Sequence, residues 1–142
     1  MRLPALALAA ALLSACAPVT APPTGGPDMG HGMTTVQVRA TYRERILLPP
    51  GHVLTVRIED VSRADAPARI LAEHTETLDG RGPPYAVTLG FPSSQIDPRH
   101  TYAARAEIRD PEGRLRFVTD TRHAILTNGA PANVDIVMVA AR

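Results

Sequence analysis

From Thr35 onward the chain alternates apolar and polar side chains with a period of two. In TVQVRATY, Val36, Val38, Ala40 and Tyr42 alternate with Thr35, Gln37, Arg39 and Thr41. HVLTVRIEDV sets Leu54, Val56 and Ile58 on one face, and PYAVTLGF does the same with Tyr85, Val87, Leu89 and Phe91. TYAARAEIRD opposes Tyr102, Ala104, Ala106 and Ile108 to Arg105, Glu107 and Arg109. RLRFVTD supplies Leu115 and Phe117, and NVDIVMV supplies Val134, Ile136 and Met138. Successive side chains of a strand point to opposite faces, so this pattern predicts half-buried β-strands. ILAEHTET, from Ile70 to Thr77, adds a further strand, although ADAPARILAEHTE also fits a short helix.

Turn signals separate these runs: Pro49-Pro50-Gly51, Asp79-Gly80, Gly82-Pro83-Pro84, Pro111-Glu112-Gly113 and Asn128-Gly129-Ala130-Pro131. Pro50 presets the first central position of a turn and Gly51 supplies positive φ at the second, which would join a strand ending at Leu48 to one starting at His52. Seven or eight strands at this spacing predict an all-β domain over residues 35–142, an antiparallel β-sandwich of immunoglobulin-like kind. Its core must be largely aliphatic, because the chain has no Trp, two Phe and three Tyr. Tyr102 follows Ile96-Asp97-Pro98-Arg99-His100-Thr101, a corner of the type in which a tyrosine hydroxyl bonds back to upstream backbone. The alternative is a tyrosine that only caps the core.

The region before Thr35 is built differently. Leu3 to Leu13 form an apolar stretch of eleven residues behind Arg2. A permanent membrane helix needs about 20 apolar residues, so this run fits the core of a secretory signal over residues 1–15. Cys16, the only cysteine, follows at once, and a lone thiol makes neither an internal disulfide nor a metal site. Leu13-Ser14-Ala15-Cys16 resembles the bacterial lipobox, which implies cleavage before Cys16 and fatty acylation of that residue. One acyl chain holds only marginally on a membrane, whereas two or more hold durably. Ala17 to Met33 is rich in Pro, Gly and Thr and reads as a flexible tether within residues 16–34.

Charge excludes one class of partner. The chain has no lysine, and its 15 basic residues face 14 acidic ones. Loss of the signal would remove Arg2 and no acid, leaving the mature chain formally neutral, with no basic run for nucleic acid. Arg39, Arg43 and Arg45 on one strand, Arg57 on its expected neighbour, and Arg105 and Arg109 on another make one candidate interface. The alternative is a solvated face with Glu59 and Glu107 interleaved.

Catalytic and metal chemistry find little support. His31, His52, His74, His100 and His123 lie more than twenty residues apart, without the close spacing of a metal clamp. Asp28-Met29-Gly30-His31-Gly32-Met33 offers thioether and imidazole to periplasmic copper, against the alternative of a small-residue linker. Ser62, Ser93 and Ser94 lack a nucleophile-elbow context, and Glu59-Asp60 reads as strand-end solvation. No enzyme, metal site or cofactor is expected.

Two stretches resemble a known family. Tyr42-Arg43-Glu44-Arg45, Leu48-Pro49-Pro50-Gly51, the run Asp60 to Pro67, and Asp97-Pro98-Arg99-His100-Thr101-Tyr102 are similar, in order, to the YbaY family of bacterial lipoproteins. That family includes YscW-type pilotins, the lipoprotein chaperones of secretins. The resemblance implies a small β-domain tethered by lipid, and a partner that is an envelope protein such as a secretin-like subunit, bound through its C-terminal tail. It implies no catalysis and transfers no binding residue. Asp60 and Ser62 have a scaffold reading as an Asx- or ST-type loop, and Asp97 before Pro98 as a turn initiator. The combined expectation is a periplasm-facing outer-membrane lipoprotein that binds or escorts another envelope protein. The alternatives are a small-molecule or envelope-glycan binding module, which the sparse aromatic content disfavours, and a copper handler.

Overall fold

The computed structural model describes residues 32–142, and the expected signal 1–15, Cys16 and residues 17–31 lie outside them. Eight strands follow in order: β1 (Met33–Tyr42), β2 (Val53–Asp60), β3 (Arg69–Thr77), β4 (Tyr85–Pro92), β5 (Tyr102–Arg109), β6 (Leu115–Val118), β7 (His123–Ile125) and β8 (Asn133–Ala140). The only helical element among the described residues is a 3-10 turn at Ser93–Gln95. The all-β expectation therefore holds. The ambiguous segment around Ile70 is a strand, because β2 offers it a full antiparallel partner from Val53–Thr77 to Asp60–Arg69.

The arrangement of the strands differs from the expected antiparallel sandwich. One continuous path runs β3-β2-β5-β6-β8-β1-β4, with β7 also pairing against β5. β8 makes the path continuous by serving two neighbours. Gln37 to Tyr42 of β1 lie opposite Asn133 to Met138, while Val139 and Ala140 lie opposite Val118 and Phe117 of β6. A strand that changes partners along its length turns the corner between two sheet regions. The last strands on the path, β3 and β4, are linked by residues 78–84 and approach each other there. The sheet consequently curls into a nearly closed barrel with one seam, between β3 and β4.

Two local expectations also change. β1 pairs in parallel with β8, so the sheet is not wholly antiparallel. β1 and β2 do not pair; residues 43–52 carry the chain across from one side of the barrel to the other. Gly51 does take the positive φ, 99°, that its turn requires. Its amide donates to the Leu78 carbonyl at 3.0 Å, so the turn is fastened to the β3–β4 connection rather than closing a hairpin.

The predicted inward residues form one core except Leu115, which is half-exposed opposite Arg109 where the β5–β6 register shifts. Val36, Val38, Ala40, Leu54, Val56, Ile58, Ile108 and Ile136 are sealed from solvent, and Tyr42 stacks on Phe117 with ring centroids 4.4 Å apart. Each fully buried Val, Leu, Ile or Phe contributes about 1.5–3 kcal/mol relative to exposure, which makes this core the main source of stability. All three tyrosines sit at strand ends with rings in the core and hydroxyls on loop backbone. Tyr42 donates to the Ile46 carbonyl at 3.0 Å, Tyr85 to Arg81 at 3.2 Å, and Tyr102 to Gln95 at 3.4 Å.

Candidate partner-binding cleft

The seam between β3 and β4 is closed at one end by their connection and open at the other. The open end lies where β1 begins, so the segment that would lead to Cys16 leaves the barrel beside it. Two loops meet there, one following β2 and one following β4. Asp60 ends β2, and one of its carboxylate oxygens accepts from the Ser62 amide at 3.0 Å and the Ser62 hydroxyl at 2.6 Å. Its other oxygen lies 2.7 Å from His100 Nδ1. The Ser62 hydroxyl oxygen accepts from the Thr101 amide at 2.8 Å, and the Val61 amide donates to the Thr101 carbonyl at 2.9 Å. Thr127 adds a third loop by donating to the His100 carbonyl at 2.7 Å.

The sequence reading of Asp60 and Ser62 as a local loop motif is therefore correct but incomplete. The same atoms fasten the β2–β3 loop to the β4–β5 segment, and so join the two stretches that carried the family resemblance. Burial pushes the Asp60 carboxyl up, but hydrogen bonds from Ser62 and His100 outweigh it and hold the group below the usual carboxylate range. Ser62, Asp60 and His100 do not make a catalytic triad. The carboxylate sits between serine and histidine, so the hydroxyl donates to the acid and no base is poised to remove its proton.

Next to this fastening lies an open cleft of about 660 Å³. Arg69 at the start of β3 forms one wall; Gln95, Ile96, Asp97, Arg99 and His100 form the other. Tyr102 fixes that second wall, because its hydroxyl accepts from the Asp97 amide at 2.8 Å, as the corner reading expects. Asp97 also behaves as the expected turn initiator, its carbonyl accepting from the His100 amide at 2.9 Å. The Arg99 guanidinium grips the Asp97 carboxylate at 2.7 and 3.0 Å, and these hydrogen bonds hold that acid well below the usual carboxylate range. The cleft is thus a mainly polar concavity with two arginines, one carboxylate, and Ile96 and Pro98 as its apolar side chains.

Other sequence candidates are dispersed. Arg57 pairs with Glu73 and faces Glu107, which Arg109 also reaches at 3.2 Å, while Arg39 lies in a different sheet region opposite Asp135. The expected single arginine face is divided because β1 does not neighbour β2, and its members are interleaved with acids. His52, His74, His100 and His123 engage Pro49, Glu76, Asp60 and Thr121 respectively, at separate places. Among the described residues no three acidic, histidine or cysteine side chains cluster to hold a metal. Cys16 and Asp28 to His31 lie outside the described residues. The Thr127 bond and the anchoring by Tyr42 and Tyr85 were missed; for the tyrosines, their place at the ends of three alternating runs was the available signal.

The profile of a family described as "Type III secretion system lipoprotein chaperone (YscW)" matches residues 31–138, a span holding nearly all of the barrel and both cleft walls. The chain belongs to the YscW family. It is 32% identical over 97 residues to the uncharacterized lipoprotein YbaY of Escherichia coli (strain K12), covering 68% of this chain and 50% of that protein. The chain therefore matches about half the length of that curated relative. It also resembles, with a TM-score of 0.75 and 34% identity, the structure of an alternative pilotin from the type II secretion system of Vibrio cholerae. That match covers 78% of this chain and 99% of the pilotin. The fold is thus that of a pilotin-type lipoprotein family.

Proposed function

We propose that this protein is a lipid-anchored envelope chaperone of the pilotin type, without catalytic activity, that binds a segment of a secretin-like subunit and escorts it to the outer membrane. Cys16 carries the lipid, residues 17–32 give reach, and the barrel faces the periplasm. The family match over residues 31–138 carries this reading. Two features support it: the cleft opens beside the strand end from which the anchor segment departs, and its walls are held by a dense hydrogen-bond network while its mouth stays free.

The test has two arms. Cys16→Ser is expected to move the protein from the membrane fraction to the soluble periplasm, and full membrane retention refutes the anchor. The C-terminal tail of the secretin subunit of the same organism is expected to bind the full-length protein in detergent with micromolar affinity or better. Calorimetry with Arg69→Glu should show at least a tenfold loss. An unchanged affinity takes the cleft out of the reading, and no binding by the parent protein overturns the pilot role itself.

A further inference from the structure

The β4 side of the seam has a property separate from the cleft. β4 ends the strand path, so one of its edges has no hydrogen-bonded strand, although β3 approaches it across the seam. The direction of its backbone groups follows from one bond beyond its end. The Ser93 amide donates to the Gly32 carbonyl at 2.9 Å, in the same register that pairs Phe91 with Thr34 and Leu89 with Val36. In an antiparallel ladder, hydrogen-bonded and non-bonded pairs alternate. Tyr85, Val87, Leu89 and Phe91 therefore bond β1, and Ala86, Thr88 and Gly90 direct their N–H and C=O groups to the free edge. β1 agrees independently: the Gln37 amide donates to Ala132 on the β8 side, leaving Val36 and Val38 for β4.

Both Pro84 and Pro92 share the parity of Ala86, Thr88 and Gly90, so the free edge loses its donor at either end. Three donor-acceptor residues thus stand between two prolines, symmetrically about Thr88. The side chains there are small and exposed, and the chain carries no charge from Gly82 to Ile96. We propose that this edge pairs with the same edge of a second copy, antiparallel, with Thr88 opposite Thr88 on a two-fold axis. In that register Ala86 faces Gly90 of the second copy, giving three bonded pairs, and each proline faces the other copy's proline. Donor deficits then coincide. A slip of two residues in either direction sets a proline opposite a residue that needs its missing N–H. The occupant is thus a second β4 rather than an arbitrary extended segment, and an isologous contact of this kind closes as a dimer.

Sedimentation equilibrium of the full-length protein in density-matched detergent is expected to show a dimer. Thr88→Lys places two like charges directly opposite each other across the axis. It should raise the dissociation constant at least tenfold while leaving the melting curve in place at dilutions where both proteins are monomeric, since Thr88 is exposed and its amide does not serve β1. In native membranes, Thr88→Cys should give, on mild oxidation, at least ten times more disulfide-linked dimer than the parent or than Thr75→Cys on β3. A monomeric parent overturns the proposal, as does cross-linking no greater than in the controls or directed to another protein.

Discussion

β3 and β4 occupy equivalent positions, each the last strand on its side of one sheet, yet they are built on opposite rules. β3 carries Arg69, Glu73, His74 and Glu76 within nine residues, and β4 carries no charge within eight. The register places His74 and Glu76 opposite Val56 and Leu54, so both belong to the face that elsewhere forms the core. Inward-pointing polar groups and the irregularity at Ile58/Glu59 are devices that discourage an edge from accepting a stray strand. β4 instead seals Tyr85, Val87, Leu89 and Phe91 inside and exposes only small side chains. A barrel that left both edges like β4 would invite aggregation, and one with both like β3 would have no wall to pack the core. The molecule divides the two duties.

The largest expected effect separates the two sides of β4 itself. Val87→Pro removes an amide that bonds β1 and disturbs a buried side chain, and should destabilise the protein by about 3 kcal/mol or more. Thr88→Pro removes an amide that faces outward, where proline is tolerated, and should change stability by less than about 1 kcal/mol. Urea unfolding followed by circular dichroism distinguishes them; equal losses would show that the assigned direction of the backbone groups is wrong.

A smaller effect concerns the wall that continues from β4 into the cleft. Tyr102→Phe keeps the ring and leaves the Asp97 amide without its partner, which should cost about 1–2 kcal/mol by the same measurement. Asp60→Asn acts at the open end of the seam. The native carboxyl is held below its unfolded value, so the stability it contributes is present above the unfolded pKa and fades as pH falls through the folded one. The parent should weaken progressively below about pH 4. The variant should be less stable by about 1 kcal/mol at neutral pH and show a flatter acid limb. An unchanged acid limb would remove Asp60 from the account. The smallest effect on stability, within about 0.5–1 kcal/mol, is expected when His74 and Glu76 are both changed to Val. This exchange should instead raise self-association in sedimentation, because it gives β3 the character of its counterpart; a strictly unchanged association state would break the comparison.

Seven strands were legible because alternation is a local property, and inward residues such as Val36, Leu54 and Ile108 are sealed as the pattern required. β7 was not legible, since three residues are too few to establish a period. Pairing was not legible either. Short turns encourage the assumption that consecutive strands are neighbours, and Pro50-Gly51 reads as joining a strand ending at Leu48 to one starting at His52. In the structure that turn bonds Leu78 instead, and β1 lies between β8 and β4. The cleft walls were half visible. Asp60, Ser62, Asp97 and Tyr102 were singled out for local geometry, but a 40-residue separation hides from any local pattern that Asp60 would meet His100.

The parallel ladder between β1 and β8 sets Val38 beside Val134, and so ties the opening of the domain to its close. Until translation has delivered the final strand, the first has only β4 to lean on and the path from β6 to β1 is broken. Assembly of this barrel is therefore a late event, dominated by contacts distant along the polypeptide and correspondingly slow.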